Sequence, residues 1–205
     1  MNAKKIPDII IGRLPVYLRA LQHMADAGAK TTSSQELGEH VGISAAQIRK
    51  DISQFGEFGK QGTGYAIQFL IDKLREILKV NRTWDVIVVG AGDLGHALAH
   101  YNGFKNRGFR VVAIFDNDKN KIGQTIGDFT VEDSATMGER IKSLGVKVAM
   151  ITVPASAAQD VANKLIQAGI KAILNYAPVN VNVPSHVKVQ YSDPATNLQR
   201  MTYYL

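Results

Sequence analysis

Hydrophobic and polar positions follow different periods in the two halves of the chain. From Leu14 to about Ala27, apolar residues recur at spacings of three and four, the period of an amphipathic helix that Gly28 then ends. From Val86 onwards, short β-branched runs alternate with helical stretches. The pattern therefore predicts a helical N-terminal part followed by an α/β part.

Two short helices joined by a tight turn are predicted after the first helix. Ser33 precedes Glu36 by three residues, the spacing of a capping box, and Gly42 stands where a helix favours a left-handed C-cap residue. Ser44 and Gln47 repeat the capping-box spacing at the start of the next helix. This part of the chain is therefore predicted to form a helix-turn-helix.

The second of these helices, expected to run towards Phe55 and Gly56, has one apolar and one polar face. The polar face suits a DNA major groove, because a lysine there can donate to guanine and a small residue permits close approach. We expect Lys50 to contact bases and Arg49 to contact a phosphate. The residues expected to contact DNA in this region are Arg13, Ser44, Ala46, Gln47, Arg49, Lys50, Ser53 and Gln54.

The segment GKQGTGY that follows is rich in glycine and basic, like the wing of a winged helix. Lys60, Gln61 and Gly62 form its tip and are expected to enter a minor groove. The alternative is that the helix pair is a common packing unit whose polar face only meets water. The residue pattern alone leaves both interpretations open.

The stretch from Val86 to Ala99 combines a strand, a glycine-rich turn and a helix. Gly90 permits the tight turn, Gly92 lets a pyrophosphate approach the backbone, and Gly95 allows the helix to pack closely on the strand. The helix N-terminus supplies N–H groups and a partial positive charge to the phosphates. This arrangement predicts a dinucleotide-binding domain.

Asp116 ends the next predicted strand, RVVAIFD, where an acid that accepts ribose hydroxyls is expected. An acid at this position favours NAD over NADP. Lys119 and Lys121 follow closely, and because they are cations, binding of the 2′-phosphate of NADP stays an alternative. The alternative role for Asp116 is that of a turn-forming residue at a strand end.

Further strands in VKVAMITVP and IKAILNY, with a helix between them, complete a doubly wound parallel sheet. Ligands of such sheets bind at the carboxyl ends of the strands, so the residues after these two strands are expected beside the nicotinamide. The residues expected to bind the cofactor are Gly90, Ala91, Gly92, Asp93, Leu94, Gly95, His96, Tyr101, Asp116, Asn117, Lys121, Thr152, Val153, Pro154, Asn175, Tyr176, Ala177 and Pro178.

Candidate catalytic groups are few. His96 and His100 are four residues apart on one helix, but surface histidines are a simpler interpretation than a metal site, so no metal is expected. Tyr101 and Tyr176 could act as acids or line a pocket, and a separate substrate domain is not predicted. We therefore expect a receptor that is not an enzyme, with a small NAD-dependent oxidoreductase as the alternative.

Composition narrows these possibilities. A length of 205 residues fits two small domains, and the absence of cysteine excludes disulfides, thiolate metal sites and cysteine nucleophiles. No apolar run approaches the roughly 20 residues that span a bilayer, and the N-terminus lacks the features of a signal peptide, so a cytoplasmic location is expected. The net charge of +6 suits a nucleic-acid partner without locating the site.

Three segments together resemble the Rex family of NADH-responsive, redox-sensing transcriptional repressors. They are QIRKDISQFGEFGKQGTGY, VVGAGDLGHALAHY and ITVPASAAQDVANKLIQAGIKAILNYAPV, which occur in the family's order. The resemblance implies a homodimer whose winged-helix domains bind an inverted repeat in double-stranded DNA. It also implies that NADH and NAD⁺ are effector ligands and not reactants, and that NADH releases the operator.

The resemblance further implies a C-terminal helix that swaps onto the partner subunit. Asp193 is suited to cap it, Pro194 to open it, and Leu198, Met201 and Leu205 to form its apolar stripe. Packing on its own domain is the alternative. The expected domains are thus a winged-helix domain with linker helix 66–80 at residues 1–80, a Rossmann domain at 81–191, and a dimerisation helix at 192–205.

Two residues depart from the family pattern. Asp93 stands where members usually have Arg or Asn, and Pro194 stands where they usually have a bulky apolar residue. In the family, the basic turn residue and the counterpart of Tyr101 alternately engage the aspartate that aligns with Asp193, which adds Asp193 to the expected cofactor site. Asp93 cannot pair with that carboxylate when both are ionised, so altered or lost NADH sensing is a second hypothesis.

Overall fold

The computed structural model of the protein describes residues 6–56, 58 and 64–205. The chain divides into two compact units, with the boundary between Arg82 and Thr83. Lys60, Gln61 and Gly62, the predicted tip of the wing, lie outside the described residues. Their contact with DNA therefore stays a prediction.

The first unit packs its helices around one apolar core. Its elements are α1 (Asp8–Asp26), β1 (Thr31–Thr32), α2 (Ser34–Val41), α3 (Ala45–Ile52), β2 (Tyr65–Ala66) and α4 (Ile67–Ile77), with β1 and β2 antiparallel. Every helix contributes to the core, which includes the fully buried Leu14, Leu21, Leu37, Ile48, Leu70 and Leu74. The predicted helix-turn-helix is formed by α2 and α3.

Side-chain caps define the starts of α2 and α3, as predicted. The Ser33 hydroxyl accepts a hydrogen bond from the backbone N–H of Glu36 at 3.0 Å, and the Ser44 hydroxyl accepts one from Gln47 at 3.3 Å. The return bond of a capping box is replaced in both cases, because the Glu36 carboxylate accepts from Thr32 and the Gln47 amide donates to Asp51. Between the helices, Gly42 has the left-handed conformation expected of a C-cap, with φ of 69°.

Three predicted helix boundaries were wrong. Helix α1 begins at Asp8 and continues through Pro15, because the buried Ile10 extends the apolar stripe one turn further towards the N-terminus. Helix α3 ends at Ile52, after which tighter turns carry the chain to Phe55. Helix α4 ends at Ile77, before the predicted end of the linker helix at residue 80.

The second unit consists of one sheet between helices. Its strands are β3 (Trp84–Val89), β4 (Phe109–Asp116), β5 (Thr125–Ile126), β6 (Phe129–Asp133), β7 (Val148–Ile151), β8 (Ala172–Asn175) and β9 (Lys188–Tyr191). Its helices are α5 (Asp93–Ala99), α6 (Met137–Leu144), α7 (Ala155–Gln167) and α8 (Pro194–Thr202), with a 3₁₀ helix at Asn102–Arg107.

Strand order confirms the predicted doubly wound sheet. The seven strands lie in the order β5-β6-β4-β3-β7-β8-β9, and every neighbouring pair is parallel except β5 and β6. The chain runs outwards from β3 in one direction and then restarts at β7 in the other. The carboxyl ends of β3 and β7 therefore form the switch point at which open α/β sheets bind ligands.

The central strand is apolar on both faces. Ile87 and Val89 belong to a core cluster that includes residues of α6 and α7, while Val86 and Val88 belong to a second cluster on the other face. A strand covered on both faces has a continuous apolar sequence, which is why β3 could be predicted from the sequence.

In the described residues, no helix is long and apolar enough to cross a membrane.

Candidate dinucleotide and nucleic-acid sites

Three glycines shape the turn between β3 and α5. Gly90 has φ of 111°, and a Cβ there would lie 2.8 Å from the backbone of Thr152. A Cβ on Gly95 would lie 2.0 Å from the carbonyl oxygen of Gly90, so α5 could not pack as closely on the turn. A Cβ on Gly92 would instead meet no described atom within 4 Å. The turn is therefore tight behind Gly90 and Gly95 and open in front of Gly92, as the approach of a pyrophosphate requires.

A cavity of about 590 Å³ opens in front of this turn, at the carboxyl ends of β3, β4 and β7. The residues predicted from sequence that line it are Gly90, Gly92, Asp116, Asn117, Lys121, Thr152, Val153 and Pro154. Sequence reasoning missed further lining residues on α6, on α7 and in neighbouring loops, namely Asp118, Ser134, Met137, Ala157, Asp160, Val161 and Lys164. The cavity thus lies at the switch point of the sheet, where the fold places its ligand.

Asp116 forms a charged wall of the cavity. Asp116 is the last residue of β4, and it is 8% exposed. One carboxylate oxygen accepts the backbone N–H of Ala91 at 2.7 Å, and the other accepts that of Asp118 at 2.9 Å. Lys121 lies 3.4 Å from the first oxygen. The carboxylate keeps lone pairs that can accept ribose hydroxyls.

The pKa of Asp116 is lowered from its ordinary value. Burial alone would raise this pKa, but the two backbone hydrogen bonds and the ammonium of Lys121 outweigh the burial. The carboxylate is therefore ionised at neutral pH. A charged acceptor at this wall favours ribose hydroxyls and disfavours a phosphate.

Thr152 joins the two strands at the switch point. Its hydroxyl oxygen lies 2.8 Å from the carbonyl oxygen of Gly90 and 3.0 Å from that of Val89, and it donates to this pair. The hydroxyl therefore holds the glycine turn against the end of β7. Thr152 therefore lines the predicted site, but its hydroxyl donates to the protein backbone.

The residues after β8 are separate from this cavity. Asn175 is 1% exposed, and its amide group bonds the backbone of Ala177 and Val179, so its polar atoms hold the loop. Ala177, Pro178 and Asp193 line a second cavity of about 440 Å³ beside α8. Tyr176 is half-buried, and burial raises the pKa of its hydroxyl. The residues predicted at the nicotinamide end therefore line two different cavities, Thr152, Val153 and Pro154 the first and Ala177 and Pro178 the second.

Tyr101 and the predicted residues of α5 line neither of the two cavities. Asp93 and Leu94 are exposed in its first turn, and Tyr101 packs edge-to-face on Phe104 with ring centroids 4.9 Å apart. The carbonyl oxygen of His96 bonds the ring of His100 at 2.8 Å. Nowhere in the described residues do three or more potential metal-ligating side chains cluster.

The outer face of α3 carries most of the residues predicted to contact DNA. Ser44, Ala46, Arg49, Lys50 and Ser53 are all exposed, and the half-exposed Gln54 follows them. The guanidinium of Arg49 donates to the Ser34 hydroxyl at 2.8 Å, which links α3 to the start of α2. An exposed helical face with two cations is what a DNA groove can accept.

Arg13 and Gln47 differ from this set, because both donate to the buried carboxylate of Asp51. Arg13 makes two bonds to it, of 2.6 and 2.7 Å, and Gln47 makes one of 2.6 Å. Sequence reasoning missed Asp51. The sequence did offer a signal for it: Asp51 lies three residues after the apolar Ile48 and four after Gln47, which places a carboxylate beside the apolar face of α3.

The pKa of Asp51 is lowered. Its full burial would raise the pKa, but the hydrogen bonds from Arg13, Tyr17 and Gln47 and the charge of Arg13 outweigh the burial. Burial and the bond to Asp51 raise the pKa of the Tyr17 hydroxyl. At neutral pH the group therefore consists of a carboxylate, a guanidinium and two neutral donors.

Comparisons with known proteins divide the chain in the same order. Residues 5–53 match a family model described as a putative DNA-binding protein N-terminus. Residues 81–179 match a model described as a CoA binding domain. The two matches fall on the helix-turn-helix and on the α/β sheet, respectively.

Curated relatives match over almost the whole chain. The redox-sensing transcriptional repressor Rex of Chloroflexus aggregans is 50% identical over 199 residues, which cover 97% of this chain and 94% of the relative. The protein of the same name from Brevibacillus brevis is 43% identical over 202 residues, which cover 98% of each chain.

Solved structures of RSP, a Rex-family repressor, also match. Its complex with β-NAD⁺ and operator DNA gives a TM-score of 0.92 at 36% identity, covering 98% of this chain and 93% of that one. Its complex with β-NADH gives 0.89 at 34% identity, covering 97% and 93%. These relatives are named as transcriptional repressors and not as enzymes, which confirms the prediction of a receptor over that of an oxidoreductase. By full-length similarity, the chain belongs to the Rex family of redox-sensing transcriptional repressors.

Proposed function

We propose that this chain represses transcription as a homodimer on an inverted-repeat operator and leaves the DNA when NADH binds its second unit. The observation that carries the proposal is the glycine turn, which is open at Gly92 and bonded through Ala91 to the ionised Asp116, beside a cavity at the switch point of the sheet. The RSP complexes with β-NAD⁺ plus operator DNA and with β-NADH support both ligands.

On the DNA side, α3 acts as the recognition helix. Lys50 donates to base edges in the major groove, and Arg49 contacts a phosphate, so the first provides specificity and the second affinity. Ala46 lets the helix approach the bases closely. A repressor with these contacts works in the compartment that holds the DNA, so we place the protein in the cytoplasm.

On the ligand side, the backbone at Gly92 and the N-terminus of α5 hold the pyrophosphate. Asp116 accepts the hydroxyls of the adenine ribose, and the backbone N–H groups of Asp118 and Ala91, together with Lys121, keep the carboxylate ionised. The loop after β8, around Ala177, surrounds the nicotinamide end. The nucleotide acts as an effector, and we assign these residues no chemical step.

The dimer is supported by α8 and the residues that follow it. Leu198, Met201, Tyr203 and Tyr204 are 62%, 63%, 85% and 75% exposed, which leaves apolar surface that a partner subunit can cover. We propose that α8 swaps onto the partner and brings Asp193 to the partner's ligand site. Since DNA and NADH compete through one equilibrium, NADH must weaken DNA binding by the same factor by which DNA weakens NADH binding.

Fluorescence anisotropy of a labelled inverted-repeat duplex tests this function. The protein is bound at fixed salt and titrated separately with NADH and NAD⁺. Release by NADH at concentrations where NAD⁺ has no effect is expected. An operator affinity that is unchanged at saturating NADH, with NADH binding verified by calorimetry, would contradict it.

A second candidate is a repressor with altered or lost NADH sensing, which Asp93 favours. Its carboxylate is exposed in the first turn of α5, next to the predicted phosphate position, where it repels the pyrophosphate and, in the proposed swapped dimer, the Asp193 carboxylate brought in by the other subunit. This candidate predicts normal operator binding and a weak response to NADH. Asp93→Arg should then strengthen the response, and Asp93→Asn, which removes the charge alone, separates repulsion from pairing.

A further inference from the structure

The buried carboxylate of Asp51 receives four hydrogen bonds from two helices. Helix α1 contributes Arg13, through Nε at 2.6 Å and Nη2 at 2.7 Å, and the hydroxyl of Tyr17 at 2.7 Å. Helix α3 contributes Nε2 of Gln47 at 2.6 Å. Oδ1 and Oδ2 each accept two of these bonds, so the four lone pairs of the carboxylate are used.

Such a group fixes geometry more than it adds stability. A buried ion pair can often be replaced by apolar residues without loss of stability, whereas one partner without the other is strongly unfavourable. The saturated carboxylate therefore defines one register of α3 against α1. Tyr17 is fully buried, so it reaches the carboxylate from inside the unit, while Arg13 and Gln47 approach it from the partly exposed side.

The bonds to Asp51 also restrain two partly exposed side chains, Arg13 of α1 and Gln47 of α3. The carboxylate balances the charge of Arg13, although this residue remains 22% exposed and lies within reach of the surface. It also fixes the amide of Gln47, one turn before the exposed Lys50. Without the carboxylate, the same surface would have a free cation, and Gln47 would be unconstrained.

We propose that Asp51 is a positioning residue for DNA recognition, one that restrains Arg13 and Gln47 so that binding depends on base contacts more than on phosphate charge. The proposal rests on the proposed function of the first unit. It differs from a purely structural role because it predicts a change in the salt dependence of binding, and folding stability alone does not alter that dependence in folded protein.

The test is Asp51→Asn in the full chain, with binding to operator and to an unrelated duplex measured over a range of salt concentrations. Release of Arg13 adds one phosphate contact, so the slope of log K against log salt on unrelated DNA should steepen by about 0.9. The preference for operator should fall at least tenfold. The double variant Asp51→Asn/Arg13→Gln should restore the slope and leave the preference low.

Asp72→Asn is the matched control. Asp72 accepts Nε2 of Gln68 at 3.0 Å, the same four-residue pairing as Gln47 and Asp51, but on the exposed surface of α4. The variant removes one negative charge of the same unit, and both slope and preference should stay at the values of the unaltered chain. A slope and preference for Asp51→Asn equal to those of Asp72→Asn would overturn the proposal.

Tyr17→Phe decides the case in which Asp51→Asn does not fold. It removes one bond to the carboxylate from a side chain that is too buried to touch DNA. Operator preference should fall about threefold with an unchanged salt slope, and an unchanged preference would refute the proposal. Absence of operator preference in the unaltered chain would instead refute the proposed function, which separates the two failures.

Discussion

At the residue scale, the two cations of α3 are expected to have different roles in binding. Lys50→Ala should cost about 1 to 3 kcal/mol on operator DNA and relax base preference at one position of each half-site. Arg49→Ala should weaken binding to all sequences by a similar factor and flatten the salt slope. Binding measured on a panel of single-base operator variants distinguishes the two; equal profiles would contradict the assignment.

Asp116 should determine the choice between nucleotides. Asp116→Ala removes the acceptor of the ribose hydroxyls and leaves Lys121 without its partner, so the preference for NADH over NADPH should fall by about tenfold, roughly one charge-assisted hydrogen bond. Calorimetric titration with both nucleotides measures it. Asp128→Ala, an exposed carboxylate in the turn between β5 and β6, serves as the control and should not change the preference.

The lowered pKa of Asp51 predicts acid sensitivity of the first unit. Because the folded-state pKa lies below the unfolded value of about 3.9, the stabilisation is fully present above that value and is lost as pH falls through the folded-state pKa. The free energy of unfolding, measured with denaturant between pH 7 and pH 3, should therefore decrease at the acidic end. The Asp51→Asn variant should have a smaller free energy of unfolding than the unaltered chain at pH 7, and this free energy should decrease less on acidification.

At the element scale, the turn before α5 separates ligand binding from folding. A Cβ on Gly92 enters open space whereas one on Gly95 meets the backbone of Gly90, so the two glycines make a matched pair. Gly92 should be replaceable without a change in fold, and Gly95 should not.

Gly92→Val should retain the melting temperature and operator binding while abolishing NADH binding, because its side chain fills the pyrophosphate position. Gly95→Val should lower the melting temperature by several degrees, since α5 must move away from β3. Differential scanning calorimetry with and without NADH distinguishes them. Loss of stability in Gly92→Val comparable to that in Gly95→Val would show that the space at Gly92 is not a ligand position.

At the scale of the whole molecule, periodicity predicted the elements that are strongly patterned. The apolar strands β3, β4, β7 and β8 and the capped helices α2 and α3 could be recognised because each carries its own local signal. Strands β5, β6 and β9 were missed, since they are short and partly exposed and their residues resemble loops. Asp51 and the cavity residues of α7 were missed for another reason: their partners lie far away in the chain, 38 residues in the case of Arg13 and Asp51.

Dimerisation through α8 can be tested at the same scale. The double variant Leu198→Ser/Met201→Ser places hydroxyls on the apolar stripe and should shift the protein towards monomer, with operator binding weakened at least tenfold because one half-site is lost. Light scattering after size-exclusion chromatography gives the mass. Gln199→Ser, on the same exposed helix, controls for an effect on α8 itself, and a dimer that persists in the double variant would exclude this interface.

The bond from Ala91 to Asp116 makes the phosphate end and the ribose end of the first cavity thermodynamically dependent on each other. The carboxylate that is expected to bind the sugar also fixes the backbone of the glycine turn. Free energies of substitution at Asp116 and at Gly92 should therefore not add in a double-mutant cycle. A chemical change in the adenosine half of the nucleotide would in turn alter how tightly its phosphates are bound.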